Sequence, residues 1–237
     1  MKKVVLTGGS SGIGKEINLF LLEKGYEVLF TYCHSEDSAR EIENNFSGAK
    51  AFQIDFTSEG QMEAFLSEIE TFDPDILINN YYSGSFIDTY FHKTEAEKIL
   101  EDFKNNVMPA LLVTQKCIST FRKKKLGRII NILSSSMVSP AIGTSVYNSN
   151  KAYLLQMSKS WALENVKFGI TCNSVSPSFI PTDFHKDMDE RMKEMIASGY
   201  PLKDKLEGGD VATIIELCIN GGKHFNGNHL FVDASHY

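Results

Sequence analysis

"KVVLTGGSSGIG", residues 3–14, decides the fold, because it joins a short apolar strand to a glycine-rich turn that runs straight into a helix. Gly8 permits the tight turn, Gly12 lets the backbone approach a diphosphate closely, and Gly14 allows the helix to pack closely on the strand. The first turn of the helix offers free N–H groups and the positive end of its dipole. The stretch therefore predicts a dinucleotide-binding strand–turn–helix unit.

Apolar, β-branched runs alternate with longer amphipathic stretches along the whole chain. The predicted strands cover residues 3–7, 27–32, 49–54, 75–79, 127–133, 170–176 and 229–232. The predicted helices cover residues 13–24, 36–45, 58–71, 95–122, 145–167 and 208–220. This alternation, with nearly continuous apolar strands, indicates a parallel sheet covered by helices on both faces. We expect one doubly wound, Rossmann-type α/β domain over residues 1–237, with a seven-stranded parallel sheet.

The composition excludes several classes of protein. The 237 residues are 42% hydrophobic and 23% charged, and the net charge of −6 argues against nucleic acid or an anionic membrane as a partner. No stretch reaches the ~18 apolar residues of a membrane span, and the first residues lack the pattern of a signal peptide. The four cysteines form no CxxC pair, so we expect reduced thiols in a cytoplasmic protein. The six histidines form no ligand-spaced cluster, so we expect no metal site.

A second stretch, "SVYNSNKAY" at 145–153, places Tyr147 and Lys151 four residues apart in a predicted helix. Side chains at this spacing lie on the same face, one turn apart. One interpretation is a solvated surface pair without a role. The other is a phenol and an ammonium that together perform acid–base chemistry. The remaining motifs decide between the two.

Several motifs occur in the order found in one family of enzymes. The spacing TGxxxGIG in residues 7–14, the pair Asn79–Asn80 after the fourth strand, a serine-rich strand end and YxxxK resemble the short-chain dehydrogenase/reductases. The resemblance covers nearly the whole chain, including "VSPSFIPTDF" (175–184) and "NGNHLFVD" (226–233). It implies the Rossmann fold, a nicotinamide cofactor and the reduction of a carbonyl group. In length and layout the chain is similar to the 3-oxoacyl-acyl-carrier-protein reductases.

The resemblance also implies the catalytic roles. Tyr147 is expected to be the general acid/base, and Lys151 is expected to lower the pKa of its phenol and to bond the nicotinamide ribose. Ser134, thirteen residues before Tyr147, is expected to bond the substrate carbonyl, with Ser135 as the alternative.

A fourth catalytic residue is expected in the long helix before the fifth strand. Asn106 matches the asparagine that supports a water chain to the lysine, and Asn105 lies about 100° away around the helix. Around the catalytic residues, we expect the substrate pocket to include Tyr81, Tyr82 and Ser136.

The implied cofactor contacts come from the first turn and from the ends of the strands. They are Gly8, Ser10, Ser11, Gly12, Ile13, Gly14, Tyr32, His34, Asp55, Phe56, Asn79, Asn80, Tyr147, Lys151, Pro177, Ile180 and Thr182. Asp55 resembles the acid that binds the adenine amino group, and Thr182 the threonine that binds the nicotinamide carboxamide. An acid at the end of strand two would select NAD, but Tyr32 stands in that place. We therefore expect NADP(H), with its 2′-phosphate bonded by His34, Ser11 and Ser10. NAD stays the alternative, because the usual arginine is missing.

The chain departs from the family at three glycine positions. "NNAG" is replaced by Asn79–Tyr82, "PG" by Pro177–Ser178, and the C-terminal "DGG" by the start of "DASHY" at 233–237. Each replacement destabilises the fold if its position requires a positive φ. Two interpretations are open: a small local backbone adjustment, or an altered pocket with aromatic rings beside the nicotinamide.

Substrate and partners are less defined. Lys123–Lys125 stand where the carrier-protein reductases hold their acidic partner, but the second such position is Phe168, with only Lys167 beside it. A reductase of another small carbonyl compound or sugar, and a non-catalytic dinucleotide sensor, are the alternatives to a carrier-linked substrate. The intact catalytic set argues against the sensor.

We also expect a homotetramer or homodimer. In the family the two long helices, predicted here at 95–122 and 145–167, form a four-helix interface. In these helices the apolar residues exceed one core-facing stripe, and the excess includes Leu111, Leu112, Leu154, Leu155 and Trp161.

Overall fold

A seven-stranded parallel sheet forms the centre of the molecule. The computed structural model describes residues 2–84, 89–182, 191, 200–202 and 205–235. The strands are β1 (Lys3–Leu6), β2 (Glu27–Tyr32), β3 (Ala49–Gln53), β4 (Ile76–Asn79), β5 (Gly127–Ile132), β6 (Ile170–Pro177) and β7 (His229–Val232), in the order β3-β2-β1-β4-β5-β6-β7. Every pairing is parallel. The predicted doubly wound fold is confirmed.

Long helices connect the strands and cover both faces of the sheet. In the described part of the chain they are α1 (Gly12–Glu23), α2 (Glu36–Asn45), α3 (Glu59–Phe72), α4 (Ala96–Lys124), α5 (Ser145–Asn165) and α6 (Gly208–Asn220). Alternate strand residues enter two separate cores. Val4 and Leu6 of β1 pack toward α1, α2 and α6, whereas Val5 packs toward α3, α4 and α5. Burial on both faces explains why the strands are apolar at nearly every position.

The predicted elements lie within two residues of the observed ones. The largest differences are at the ends of α4 and α5, each by two residues. Helix α4 extends to Lys124 because the Lys124 ammonium donates to Asp75 Oδ1 at 2.6 Å and anchors the last turn. Lys125 then ends the helix with φ of 53°. The sequence did not predict the short 3₁₀ turns at Phe91–Lys93 and Ser135–Met137.

The residues expected to form the oligomer interface face the core of the chain instead. Leu154 and Trp161 are buried within the chain's own core, and Leu111, Leu112 and Leu155 pack partly buried against it. Helices α4 and α5 pack side by side on the same face of the sheet, so α5 contacts both the sheet and α4 and its apolar surface is wider than one stripe. The exposed apolar side chains of these two helices are instead Leu100, Met108, Tyr153 and Leu163.

Among the positions where the family has glycine and this chain does not, only the C-terminal pair has a positive φ. Ala234 and Ser235 have φ of 50° and 63°, whereas Tyr81, Tyr82 and Ser178 do not have positive φ. A side chain with a Cβ costs about 1–2 kcal/mol in the left-handed region. The departure at "DASHY" therefore places side chains in the left-handed region and strains the backbone there, and the other departures do not. Residues 236 and 237 lie outside the described residues.

We predict that Ala234→Gly raises the free energy of unfolding by about 1 kcal/mol, because glycine removes the left-handed strain. Ser178→Gly is the matched control, and it should lower stability by about 0.5–1 kcal/mol, because φ there already suits a side chain. Urea denaturation of the two variants measures both values. A destabilised Ala234→Gly protein would contradict the strained turn.

Candidate active site

The carboxyl ends of the central strands open onto one large cleft. Its volume is about 830 Å³, within the range of small-molecule sites. It extends from the glycine-rich turn after β1, along the ends of β2 and β4, to the serine cluster after β5 and the first turn of α5. Ligands of open α/β sheets bind at this edge.

The turn after β1 is held by hydrogen bonds from neighbouring strands. The N–H of Gly8 donates to Thr31 Oγ1 at 2.9 Å, and the amide of Asn80 donates to the carbonyl oxygens of Thr7 and Gly8 at 3.1 and 3.0 Å. Gly14 has no room for a side chain, because a Cβ there would lie 1.9 Å from the carbonyl oxygen of Gly8. Helix α1 thus begins directly against the turn, with its N–H groups facing the cleft.

A dinucleotide fits this end of the cleft. A Cβ at Gly12, where φ is 50°, would enter the space beside the Thr182 side chain, 3.4 Å from its Cβ. The turn therefore leaves open a backbone-lined cradle that the N-terminus of α1 supplies with positive potential, as a diphosphate requires. Further lining comes from Ser10, Ser11, Ile13, Pro177 and Ile180. Residues 183 and 184 of the expected C-terminal motif lie outside the described residues.

The ends of β2 and β3 form the far wall. Tyr32, Cys33 and His34 line it together with Asp55 and Phe56. Thr57 donates to Asp55 Oδ1 from its hydroxyl at 2.7 Å and from its N–H at 2.9 Å, and these bonds lower the pKa of the carboxyl group. Among the described residues, Asp55 is the acid that lines this wall.

Tyr147, Lys151 and Ser134 come together at the opposite end. Tyr147 and Lys151 lie one turn apart on α5, and the Tyr147 hydroxyl is hydrogen-bonded to Ser134. The Lys151 ammonium donates to the carbonyl oxygen of Ile132 at 3.0 Å and lies 5.7 Å from the centroid of the Tyr147 ring. Ser134, rather than Ser135, is therefore the serine that meets the phenol.

The expected lowering of the Tyr147 pKa by Lys151 stays a prediction, and in the protein alone burial dominates the pKa of this phenol. Burial raises the pKa of Tyr147 to about 12, and the hydrogen bond with Ser134 lowers it only in part. Burial also lowers the pKa of Lys151 to about 8. Desolvation disfavours both charged forms, so burial outweighs the attraction between phenolate and ammonium. The phenol is thus held in its neutral form, which can donate a proton.

Tyr82 packs against both catalytic side chains. Its ring meets Tyr147 edge-to-face at 4.9 Å between centroids, and the Lys151 ammonium lies 5.0 Å from its centroid. Its hydroxyl donates to Asp102 Oδ1 at 2.7 Å, and the same oxygen accepts from Asn150 at 2.7 Å. Tyr82 therefore forms an anchored wall of the cleft beside the reacting groups.

Tyr81 also lines the cleft, but its ring packs on Phe56 at 4.5 Å between centroids. It joins the apolar core beneath α3 and α4. The two tyrosines thus face different parts of the cleft, Tyr81 the far wall and Tyr82 the catalytic end.

Asn106 is buried and binds the segment after β4. Its Oδ1 accepts from the N–H of Ser83 at 2.7 Å and lies 3.2 Å from the Ser83 hydroxyl, while its amide donates to Asp102 at 3.2 Å. Asn105 is less buried. The side chain of Asn106 thus holds Ser83, in the segment after β4, at the catalytic end.

Asn79 does not line the cleft, and its expected contact with the cofactor stays a prediction. Its amide donates to Thr114 and to Asn131, both at 2.8 Å, in the layer between the sheet and α4. Side chains at successive strand positions point to opposite faces of the sheet. Asn80, one residue later, instead lines the cleft and braces the turn at Gly8.

Sequence reasoning missed three residues of this end: Asp102, Asn148 and Asn150. Asp102 stands four residues before Asn106, a helical spacing that signals a shared face. Asn148 and Asn150 stand inside YNSNK, between the tyrosine and the lysine. The Asn148 Oδ1 accepts from Ser136 at 2.6 Å, and Ser136 lines the cleft beside Ser134.

The basic residues of the last turn of α4 lie at the end of the sheet opposite the cleft. Lys124 is engaged by Asp75 and by the carbonyl oxygens of Asp73 and Pro74, at 3.0 and 3.1 Å. Arg122 donates to Asn165 at 2.7 Å and stacks over Phe168. This surface adjoins the amino ends of β5 and β6, whereas the cleft adjoins their carboxyl ends.

The described part of the chain contains no cluster of histidine, cysteine and acidic side chains that could hold a metal ion. Within the same residues, no helix is long and apolar enough to cross a membrane.

Comparison with known proteins identifies the family. The model of the family described as short chain dehydrogenase matches residues 2–193. The 3-oxoacyl-[acyl-carrier-protein] reductase FabG of Staphylococcus epidermidis is 28% identical over 245 residues, covering 100% of this chain and 99% of that protein. Acetoacetyl-CoA reductase of Paracoccus denitrificans is 31% identical over 245 residues, covering 98% of this chain and 100% of that protein. A solved structure of ElxO with NADP bound has a TM-score of 0.86 at 27% identity, covering 99% of this chain and 98% of that one. This chain belongs to the short chain dehydrogenase family.

Proposed function

We propose that the protein is an NADP(H)-dependent reductase that converts a carbonyl group to a secondary alcohol. The observation that carries this proposal is the bonded pair Tyr147–Ser134 beside buried Lys151, at one end of a cleft whose other end is a diphosphate cradle. Two similar proteins are named as reductases of 3-oxoacyl thioesters, which supports a substrate of that class. The solved structure of ElxO contains NADP, which supports the cofactor.

Each catalytic side chain has one task in this proposal. When bound, the dinucleotide supplies a hydride to the carbonyl carbon. The O–H bond of Tyr147 breaks, and its proton passes to the carbonyl oxygen, which becomes the alcohol. Ser134 donates a hydrogen bond to the same oxygen and orients it. Lys151, still protonated below its pKa of about 8, stabilises the phenolate that remains on Tyr147.

The cleft supports a neutral reacting end of the substrate. Among the described residues that line the cleft, Lys151 is the cation, and its ammonium is engaged by Ile132. A ketone or thioester suits such a surface better than a free keto acid, whose carboxylate would require a cationic partner. A panel of 3-oxoacyl thioesters, simple ketones and sugars, assayed by consumption of NADPH and NADH, tests the substrate class.

We predict that Tyr147→Phe lowers kcat by about 10²–10⁴-fold, because it removes the proton donor. NADPH affinity should change little, because phenylalanine keeps nearly all of the ring surface. Stopped-flow turnover and fluorescence titration of NADPH measure the two effects.

The matched control is Tyr153→Phe, on the exposed side of the same helix, which should leave turnover unchanged. A Tyr147→Phe protein with normal turnover would overturn the catalytic role. A wild-type protein that binds NADPH but reduces no carbonyl of the panel would favour the sensor.

We predict tighter binding of NADPH than of NADH, because Tyr32 replaces the acid that would repel a 2′-phosphate. Tyr32→Asp should shift the preference toward NADH by about tenfold, which is about 1.4 kcal/mol. Tyr32 is only 4% exposed, so Tyr32→Asn is the control that separates charge from loss of the ring. Kd values for both cofactors, measured with all three proteins, give the result. Tighter NADH binding by the wild type would contradict the prediction.

We further propose that the chain assembles as a homodimer or homotetramer through α4 and α5. Leu163 is 79% exposed and Leu100 69%, and both suit a second copy of this chain better than water. We expect light scattering of the wild type to give a molar mass that is a multiple of 26.6 kDa, and Leu163→Glu to lower that mass. Because Leu163 is exposed, this variant should keep its secondary structure by circular dichroism. A wild type of about 27 kDa at micromolar concentration would contradict the proposal.

A further inference from the structure

A chain of hydrogen bonds leads from a backbone carbonyl to Asn148. The Thr144 hydroxyl lies 2.7 Å from the carbonyl oxygen of Ala141, which can only accept, so Thr144 donates its single hydrogen there. The oxygen of Thr144 is then an acceptor for the Asn148 amide at 2.8 Å. This contact fixes the orientation of the Asn148 side chain, and its Oδ1 faces Ser136.

The same reasoning orients the serine hydroxyls. Ser136 donates its hydrogen to Asn148 Oδ1 at 2.6 Å, so its oxygen accepts from Ser134 at 2.7 Å. Ser134 has then used its own hydrogen, and its oxygen accepts from the N–H of Ser136 at 3.2 Å and from the hydroxyl of Tyr147. The hydroxyl hydrogens therefore point in one direction along the chain, from Tyr147 through Ser134 and Ser136 to Asn148, while Thr144 donates to Ala141.

We propose that Asn148 is a positioning residue that fixes this direction and thereby keeps the proton on Tyr147. The proposal rests on the proposed role of Tyr147 as the general acid. Asn148 touches neither the phenol nor the cleft and acts through Ser136 and Ser134. Its side chain is 9% exposed, so water does not readily replace the bonds that it makes.

The direction of the chain disfavours the phenolate. To stabilise a phenolate, Ser134 must turn its hydrogen to Tyr147, and Ser136 can support that turn only by withdrawing its hydrogen from Asn148. The buried Oδ1 of Asn148 would then lose its donor, which is unfavourable. Burial alone raises the pKa of Tyr147. The Ser134 hydroxyl lowers that pKa only when it donates to the phenolate, and the chain keeps its hydrogen on Ser136.

Few charged groups of the described chain face the phenol. Lys151 lies one turn away on the same helix, and from the segment after β4 the ring of Tyr82 packs on Tyr147, with its hydroxyl on Asp102 of α4. None of these groups belongs to the chain through Asn148. A change at Asn148 should therefore act on Tyr147 without changing the charged groups around it.

The arrangement also determines which hydroxyl groups donate hydrogen bonds to the substrate carbonyl. A carbonyl oxygen seated between Tyr147 and Ser134 accepts the Tyr147 hydrogen directly, and it accepts the Ser134 hydrogen at the cost of the Ser134–Ser136 bond. Ser136 cannot compete as a donor, because Asn148 retains its hydrogen. Ser134 thus orients the carbonyl, and Ser136 supports Ser134 from behind.

The test is the pH at which Tyr147 ionises in the complex with NADP⁺. Ultraviolet absorbance of each variant, minus that of the same variant carrying Tyr147→Phe, isolates this phenolate among the tyrosines. In Asn148→Ala the midpoint should fall by roughly half a unit to one unit, the equivalent of one net hydrogen bond. In Asn148→Asp it should rise, because an ionised carboxylate holds the Ser136 hydrogen more firmly and repels the phenolate.

The rate profile should follow the absorbance. Reduction requires the protonated phenol and is lost as pH rises through its pKa, so this loss should occur at lower pH in Asn148→Ala than in the wild type. Acetoacetyl-CoA is the probe for this measurement. Ser136→Ala should shift the midpoint in the same direction as Asn148→Ala, and it serves if Asn148→Ala fails to fold.

The control is Ser139→Ala, in the same loop but outside the chain of bonds, which should leave the midpoint in place. If the midpoint is the same in wild type, Asn148→Ala and Ser136→Ala, the positioning role is refuted, while loss of turnover in Tyr147→Phe still supports the proposed function. If Tyr147→Phe keeps its turnover, the proposed function fails first and removes the basis of this inference. A merely structural role of Asn148 would lower stability without moving the midpoint.

Discussion

The burial of the Lys151 ammonium is the constraint on which the catalytic end depends. A buried ammonium either donates its hydrogen atoms to acceptors or loses its proton and becomes neutral. Here the side chain is 4% exposed, its ammonium donates to Ile132 at the end of β5, and the ring of Tyr82 covers it. The end of β5, the start of α5 and the segment after β4 must therefore meet at this one group. Their meeting also brings Ser134 against Tyr147.

The tyrosines in place of the family's small residues follow from the same constraint. Neither has a positive φ, so the backbone after β4 needs no glycine here. The Tyr82 ring fills the space over Lys151, and its hydroxyl donates to Asp102 Oδ1. The same oxygen also accepts from Asn106 and Asn150. A larger side chain has thus been matched by added hydrogen-bond partners on α4 and α5. This favours an altered pocket over local drift of the backbone.

The sequence predicts the elements well and the directions of side chains less well. Alternating apolar runs and glycine punctuation suffice for the strands and helices, because both faces of the sheet are buried. The family's spacing brings Ser134, Tyr147 and Lys151 to one end of the cleft. It does not tell that Asn79 and Asn80 point to opposite faces, nor that Trp161 belongs to the core rather than to an interface. It also does not give the pKa of Tyr147, because burial depends on neighbours such as Tyr82 that are distant in sequence.

The fold also constrains how a carrier protein could deliver a substrate. Tyr147 stands at the start of α5, and Lys167 follows its end, so the basic surface lies about 27 Å or more along the helix from the phenol, at 1.5 Å per residue. Lys124 is already engaged by Asp75. A carrier docked there would hold its substrate a full helix length from the acid of the same chain. Delivery from this surface would therefore require a long flexible arm, or a second copy of the chain whose cleft lies nearby. A free thioester such as an acyl-CoA needs neither, and this makes it the simpler substrate for a single chain.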